Sequence, residues 1–85
     1  MRKGFVYILI SDKDKKSYTG STNNISRRFE QHCAGQVTAT RNRRPLRLIY
    51  TEGYPMFAEA RQREWYLKTR QGRRELKEIF KKLGL

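Results

Sequence analysis

Residues Phe5-Val-Tyr-Ile-Leu-Ile10 are apolar at both parities. Such a run predicts a strand covered on both faces, and therefore a central one. Ser11-Asp-Lys-Asp-Lys-Lys16 reads as a polar turn, and Ser17-Tyr-Thr-Gly20 as a short returning strand that closes a hairpin and ends at Gly20. Ser21-Thr-Asn-Asn24 is rich in residues that cap helix N-termini, and it predicts a helix from about Asn24 to Ala34, stopped by Gly35. Ile25, Phe29 and Cys33 recur every four residues and are expected to form its buried stripe. Gln36–Arg44 reads as a polar, arginine-rich loop, and Leu46–Thr51 as a third strand after Pro45. A second helix is expected over about Met56–Arg70. Gly72 then separates it from a terminal helix over about Arg73–Leu83, with Leu76, Ile79, Phe80 and Leu83 facing inward. The order β-β-α-β-α-α predicts an α/β domain spanning residues 1–85, a short three-stranded antiparallel sheet flanked by helices.

Charge changes the picture more than any other bulk property. Twenty Lys and Arg face eight Asp and Glu in 85 residues, a formal net charge of +12. A surface of that sign calls for a polyanionic partner, and nucleic acid fits best. A membrane surface fits less well, because no long basic helix carries a clean, bulky apolar face. The longest apolar run, Phe5–Ile10, is too short to span a bilayer and no small-residue cleavage site follows it, so a cytoplasmic protein is expected. Cys33 is the single cysteine and His32 the single histidine, which excludes an intramolecular disulfide and a Cys/His zinc cluster. Cys33 is expected to be a small core residue.

A few positions carry candidate chemistry. Tyr7 and Tyr18 lie on the two arms of the expected hairpin and can approach across it, although half-buried tyrosines are also ordinary strand residues. Arg28 and His32, four apart on one helix face, place a cation and a titratable imidazole where that helix meets the sheet. The alternative is an arginine whose stem covers core while its head reaches water. Glu64 falls inside the core-facing stripe marked by Phe57, Ala60 and Leu67. A carboxylate is costly there unless it is paired, with Arg61 or Lys68 as partners, or holds a hard cation. Basic residues crowd two segments: Arg41, Arg43, Arg44 and Arg47 before the third strand, and Lys68, Arg70, Arg73, Arg74, Lys77, Lys81 and Lys82 in the C-terminal third. With Arg27 on the first helix, these are candidates for gripping phosphates without reading bases, against the plainer reading of a solvated charged face.

Taken together, these residues resemble the GIY-YIG nuclease superfamily. Phe5-Val6-Tyr7 and Tyr18-Thr19-Gly20 stand where its two naming motifs would. Asn24-Ile-Ser-Arg-Arg-Phe-Glu-Gln-His32 is similar to its N-L-x-x-R-x-x-x-H helix, and Glu59-Ala-Arg-Gln-Arg-Glu64 to the E-A-x-x-x-E segment that carries its metal ligand. The likeness is closest to small stand-alone bacterial members related to the nuclease domain of the excision-repair protein UvrC. The resemblance implies a DNA endonuclease of little sequence specificity, linked to DNA repair, that uses one Mg²⁺ or Mn²⁺ and no small-molecule cofactor. It implies Tyr7 as general base or water-orienting group, Tyr18 in support, and Arg28 stabilising charge on the phosphorane. It implies that His32 takes a proton or holds phosphate, and that Glu64 is the metal ligand. The chain departs from the pattern in lacking the glycine and isoleucine of the first motif, in Thr19, and in having no asparagine after Glu64. The last departure sets a non-catalytic nucleic-acid-binding module on the same fold as the alternative.

Overall fold

The computed structural model describes residues 2–85 and shows an α/β fold of three strands and three helices. The strands are β1 (Gly4–Ser11), β2 (Ser17–Thr22) and β3 (Leu46–Tyr54), and the helices are α1 (Ile25–Cys33), α2 (Phe57–Leu67) and α3 (Arg70–Lys82). The sheet is antiparallel throughout, in the order β2-β1-β3, so the strand of unbroken apolar character does lie at the centre. Alternation along β1 divides the core in two. Val6 packs with Ala60 and Leu67 on the side of α2 and α3, joined by Phe57 and Leu76. Tyr7 and Leu9 pack on the opposite side with Leu46, Tyr18, Ile25 and Phe29, beneath α1. Gly4 lets α2 approach the sheet, since a Cβ there would meet the backbone of Phe57.

The elements differ from the sequence reading in instructive ways. β2 does not stop at Gly20 but continues to Thr22, with Tyr7 opposite Gly20 and Val6 opposite Ser21. β3 runs on to Tyr54 and absorbs an irregularity between its pairings with Ile8 and Leu9, where Ile8 faces Tyr50 and Leu9 faces Leu48. α1 begins as expected, with the Asn24 side chain accepting from the Arg27 N–H at 3.0 Å, and Gly35 follows its end at φ +77°. Its inward face keeps Ile25 and Phe29 of the expected stripe but not its third member. Cys33 is exposed, and the fully buried residue of α1 is His32. The Gln36–Arg44 segment is less polar in position than in composition, for Val37 and Thr40 are buried and Arg41–Arg43 form a 3-10 turn.

The helix break also moves. α2 ends at Leu67 and Thr69, not Gly72, starts the next helix, its hydroxyl accepting from the Gly72 N–H at 3.1 Å. Gly72 is buried in the first turn of α3, where a Cβ would collide with the Tyr66 carbonyl and Leu67 backbone. The glycine thus serves close helix–helix contact. At the far end of α3, Leu83 is exposed rather than inward. A polar clamp unseen in the sequence ties the second layer together: Arg63 of α2 donates to Glu52 of β3 at 2.9 and 3.1 Å and pairs with Glu75 of α3. Tyr50 and Tyr54 each donate to Glu52 at 2.7 Å, and burial, reinforced by that carboxylate, pushes both phenols up to about 12. Among the described residues no helix is long and apolar enough to cross a membrane.

Candidate active site

Register brings the hairpin tyrosines together. Tyr7 pairs with Gly20 and Leu9 with Tyr18, so the two tyrosines are diagonal neighbours on one face, with ring centroids 6.3 Å apart. Gly20 is the condition for this: a Cβ would occupy the space of the Tyr7 phenol. α1 lies over the same face and brings in Arg28 and His32, one turn apart. His32 is edge-on to both rings, at 5.6 Å from Tyr7 and 5.2 Å from Tyr18. Its Nε2 meets the Tyr7 hydroxyl at 2.9 Å and its Nδ1 meets the Thr40 hydroxyl at 2.7 Å. Arg28 Nε donates to the same Tyr7 oxygen at 3.4 Å, and its Nη1 donates to Gln31 at 3.0 Å.

These contacts give the chain a direction. Burial first, and the Arg28 charge second, lower the His32 imidazole to about 4, so it is neutral at neutral pH. A neutral imidazole donates from one nitrogen and accepts at the other. Tyr7 Oη already accepts from Arg28, so its hydrogen is best directed to His32 Nε2, leaving Nδ1–H to donate to Thr40. Burial raises the Tyr7 phenol above its ordinary value near 10, opposed by the hydrogen bond from Arg28. At rest the pair is therefore a phenol and a neutral imidazole, with a guanidinium poised on the phenol oxygen.

Glu64 comes from the other layer. The alternation that puts Tyr18 beneath α1 puts Ser21 on the α2 side, where Ser21 Oγ donates to Glu64 Oε1 at 2.5 Å. Lys68 Nζ donates to Glu64 Oε2 at 2.5 Å, and the same ammonium stands 5.9 Å from the Tyr18 ring centroid. β2 is an edge strand, so Lys68 reaches round that edge and links the two faces. Glu64 is also among the charges that act on Tyr7. Its side chain is 16% exposed, against 50% for Lys68. Of the two partners open from the sequence, Lys68 holds the carboxylate, while Arg61 turns to Trp65.

The structure thus gathers Tyr7, Tyr18, Arg28, His32 and Glu64 around one sheet edge. It adds Thr40 and Ser21, which the sequence reading did not single out. Ser21 follows once β2 is extended by two residues, because alternation then fixes its side. Thr40 had no local signal, being one of two threonines in a polar, arginine-rich loop with no periodic pattern. The basic candidates divide. Arg43 is engaged internally, donating to Asp14 at 2.8 Å and to the Lys16 carbonyl at 3.0 Å, and its hydrogen bond, helped by that from the Lys16 N–H, holds Asp14 down to about 2. Arg44 donates to the Arg41 and Cys33 carbonyls. Arg27, Arg41, Arg70, Arg73 and Arg74 are exposed.

A hard divalent cation would find the Glu64 carboxylate here, and among the described residues no group of three or more His, Cys, Asp and Glu converges. That donor set fits Mg²⁺ or Mn²⁺, which keep several waters and take one or two carboxylates with substrate phosphates. It does not fit zinc, which is held by three or four N and S ligands.

Comparison with known proteins agrees with the geometry. The family model described as the GIY-YIG catalytic domain matches residues 3–77. A UPF0213 protein of Staphylococcus haemolyticus is 40% identical over 80 residues, covering 93% of this chain and 96% of the relative. One from Natronomonas pharaonis is 41% identical over 66 residues, covering 76% of each. The solution structure of the UPF0213 protein BH0048 from Bacillus halodurans superposes with a TM-score of 0.55 at 34% identity, covering 91% of this chain and 84% of that one.

Proposed function

The chain belongs to the GIY-YIG family, a nuclease family, and from that premise we propose that it hydrolyses DNA phosphodiester bonds with the help of one divalent metal ion and with little sequence specificity. The observation that carries this reading is the directed chain Arg28–Tyr7–His32–Thr40 beside the Glu64 carboxylate. Tyr7 would pass its proton to His32 Nε2 as an attacking water delivers one to the phenol oxygen. Thr40 would accept from Nδ1–H and steady the imidazolium so formed. The transfer is uphill at rest, because burial disfavours both phenolate and imidazolium. It needs an adjacent cation, and Arg28, hydrogen-bonded to the Tyr7 oxygen, would stabilise the phenolate and then the charge on the phosphorane. Tyr18 packs against both Tyr7 and His32 and would hold them in place. Glu64 would hold Mg²⁺ or Mn²⁺, which when bound neutralises charge on the phosphate and on the leaving oxygen. Arg27, Arg41, Arg44, Lys68, Arg70, Arg73 and Arg74 would supply phosphate contacts. Arg43 would act from below, by fixing the loop that carries Arg41 and Arg44.

Glu64 already has an ammonium partner, which favours one rival: a nucleic-acid-binding module in which Glu64–Lys68 is only an ion pair. A nicking assay on plasmid DNA with Mg²⁺, Mn²⁺ or chelator, run beside a thermal melt on wild type and Glu64→Gln, separates the two. Gln keeps the hydrogen bond from Ser21 and loses the charge. A metal ligand predicts a melt within about 1 kcal/mol of wild type and loss of metal-stimulated nicking. A wild-type protein that never nicks with either metal assigns the fold to binding.

A further inference from the structure

Trp65 is the single tryptophan of the chain and is left 59% exposed, more than any other large hydrophobic side chain among the described residues. Arg61, four residues earlier on α2, holds its guanidinium 5.4 Å from the centre of the indole. Helical phase fixes where this pair lies relative to the active site. At about 100° per residue, Ala60, Leu67 and Phe57 define the inward face of α2, with Glu64 near its centre. Moving round from Glu64 toward the flank on the side of Phe57, the side chains that follow Phe57 are Lys68, then Arg61, then Trp65. Arg63 and its clamp occupy the opposite flank, against β3 and α3. Trp65 therefore sits on the side of α2 where Lys68 reaches round β2 to Tyr18.

We propose that Trp65, backed by Arg61, is a stacking platform for an unpaired base of a DNA strand whose phosphate lies at Glu64. This rests on the nuclease reading only for where the phosphate lies. The chemistry around the indole selects the partner. Its helical neighbours are Ala58, Arg61, Gln62 and Lys68, so no second large apolar side chain adjoins it to make a protein-docking patch. Tyr66 lies a further step round the helix and meets Arg63 instead. What remains is one rigid π-face among cations on a protein of net charge +12, which suits a polyanion that also presents flat π-systems. In duplex DNA the bases are stacked on one another and shielded. The preferred substrate therefore has unpaired nucleotides next to the scissile phosphate.

Because Trp65 is the only tryptophan, its fluorescence reports this contact directly. Titrations in chelator, with single-stranded oligo(dT) and with blunt duplex at equal phosphate concentration, should show quenching by the single strand and little by the duplex. Trp65→Ala should weaken single-strand binding by about tenfold or more while leaving duplex binding within twofold, and Trp65→Phe should restore most of the loss. The indole is exposed, so these variants should fold, and a thermal melt checks that they do. Equal quenching by both DNAs, no quenching by either, or equal loss of both affinities in Trp65→Ala would overturn the platform. Cleavage is not needed for any of these measurements. Selective quenching without nicking would sink the nuclease reading alone, and nicking without selective quenching would sink the platform alone.

Discussion

Both ring nitrogens of His32 are hydrogen-bonded inside the protein and its side chain has no solvent exposure, so protonating it means breaking a native contact. Its pKa falls from 6.5 to about 4 on folding. Above pH 6.5 the imidazole is neutral in both states and costs nothing. As pH falls from there toward 4, the unfolded chain takes up a proton that the folded one refuses, and stability drops. The chain has one histidine, and no other side-chain type ordinarily titrates between pH 6.5 and 5. Stability should therefore fall by roughly 2 kcal/mol over that interval, and denaturant midpoints at pH 7, 6 and 5 measure it. A pH-independent midpoint, or the same slope in His32→Gln, would place the titration elsewhere. Arg28→Ala belongs to the same scale. Arg28 is one cation among twenty for affinity, yet it is the one hydrogen-bonded to the Tyr7 oxygen. Removing it should lower kcat by about 10²–10³ while DNA affinity changes by less than threefold, and equal losses in both would return it to the general basic surface. The charged and aromatic members of the site were legible because their spacing maps onto helix and strand periods. Thr40 was not, because a hydroxyl contact across a loop leaves no periodic trace.

At the scale of elements, the order, the central strand and the first helix with its cap were readable, and the errors cluster where tertiary contact overrides local pattern. Gly20 and Gly72 are the plainest cases. Both resemble stops in a linear reading, and both instead sit inside an element because another chain segment lies where a side chain would go. Cys33 fell on an apolar period of four, but α1 rests on the sheet through Ile25, Phe29 and the polar His32, because each step of four drifts by about 40° round the helix and carries Cys33 off the sheet. Gly72 makes the sign of a prediction differ from propensity. In an exposed helix Gly→Ala stabilises by up to about 1 kcal/mol. In α3 the added methyl would meet α2 backbone, which cannot swing away as a side-chain tip would. Gly72→Ala should destabilise by about 2 kcal/mol or more, with Gly53→Ala, where the nearest atoms lie at an ordinary 3.6 Å, close to neutral. Chemical denaturation of the two variants decides it, and a neutral or stabilised Gly72→Ala would mean that the α2–α3 contact is looser than the structure gives.

The whole molecule is governed by its charge, and the fold sorts which part of that charge is free. The +12 excess is not spread evenly in availability. Arg43 is tied to Asp14, Arg47 to Asp12 and Arg63 to Glu52 and Glu75, so the charge of each of these guanidinium groups is already offset by a carboxylate partner. Exposed cations remain on α1 at Arg27 and along α3 at Arg70, Arg73, Arg74, Lys77, Lys81 and Lys82. If about five of these neutralise phosphates on duplex DNA, each releases condensed counterions, and log Kobs should fall against log salt with a slope of roughly −4 to −5. The partition makes the prediction sharper than a count of basic residues. Arg73→Gln with Arg74→Gln removes two exposed cations from the first half of α3 without touching an ion pair, so the slope should flatten by about 2 while the melting temperature holds. Arg47→Gln, which removes a cation already paired with Asp12, should change the slope by well under one. Fluorescence anisotropy of labelled duplex across roughly 50–200 mM salt supplies both numbers. Equal flattening by the paired and the unpaired arginines would show that the DNA feels only the net field of the protein. A slope near zero in the wild type would remove phosphate contact from the account altogether.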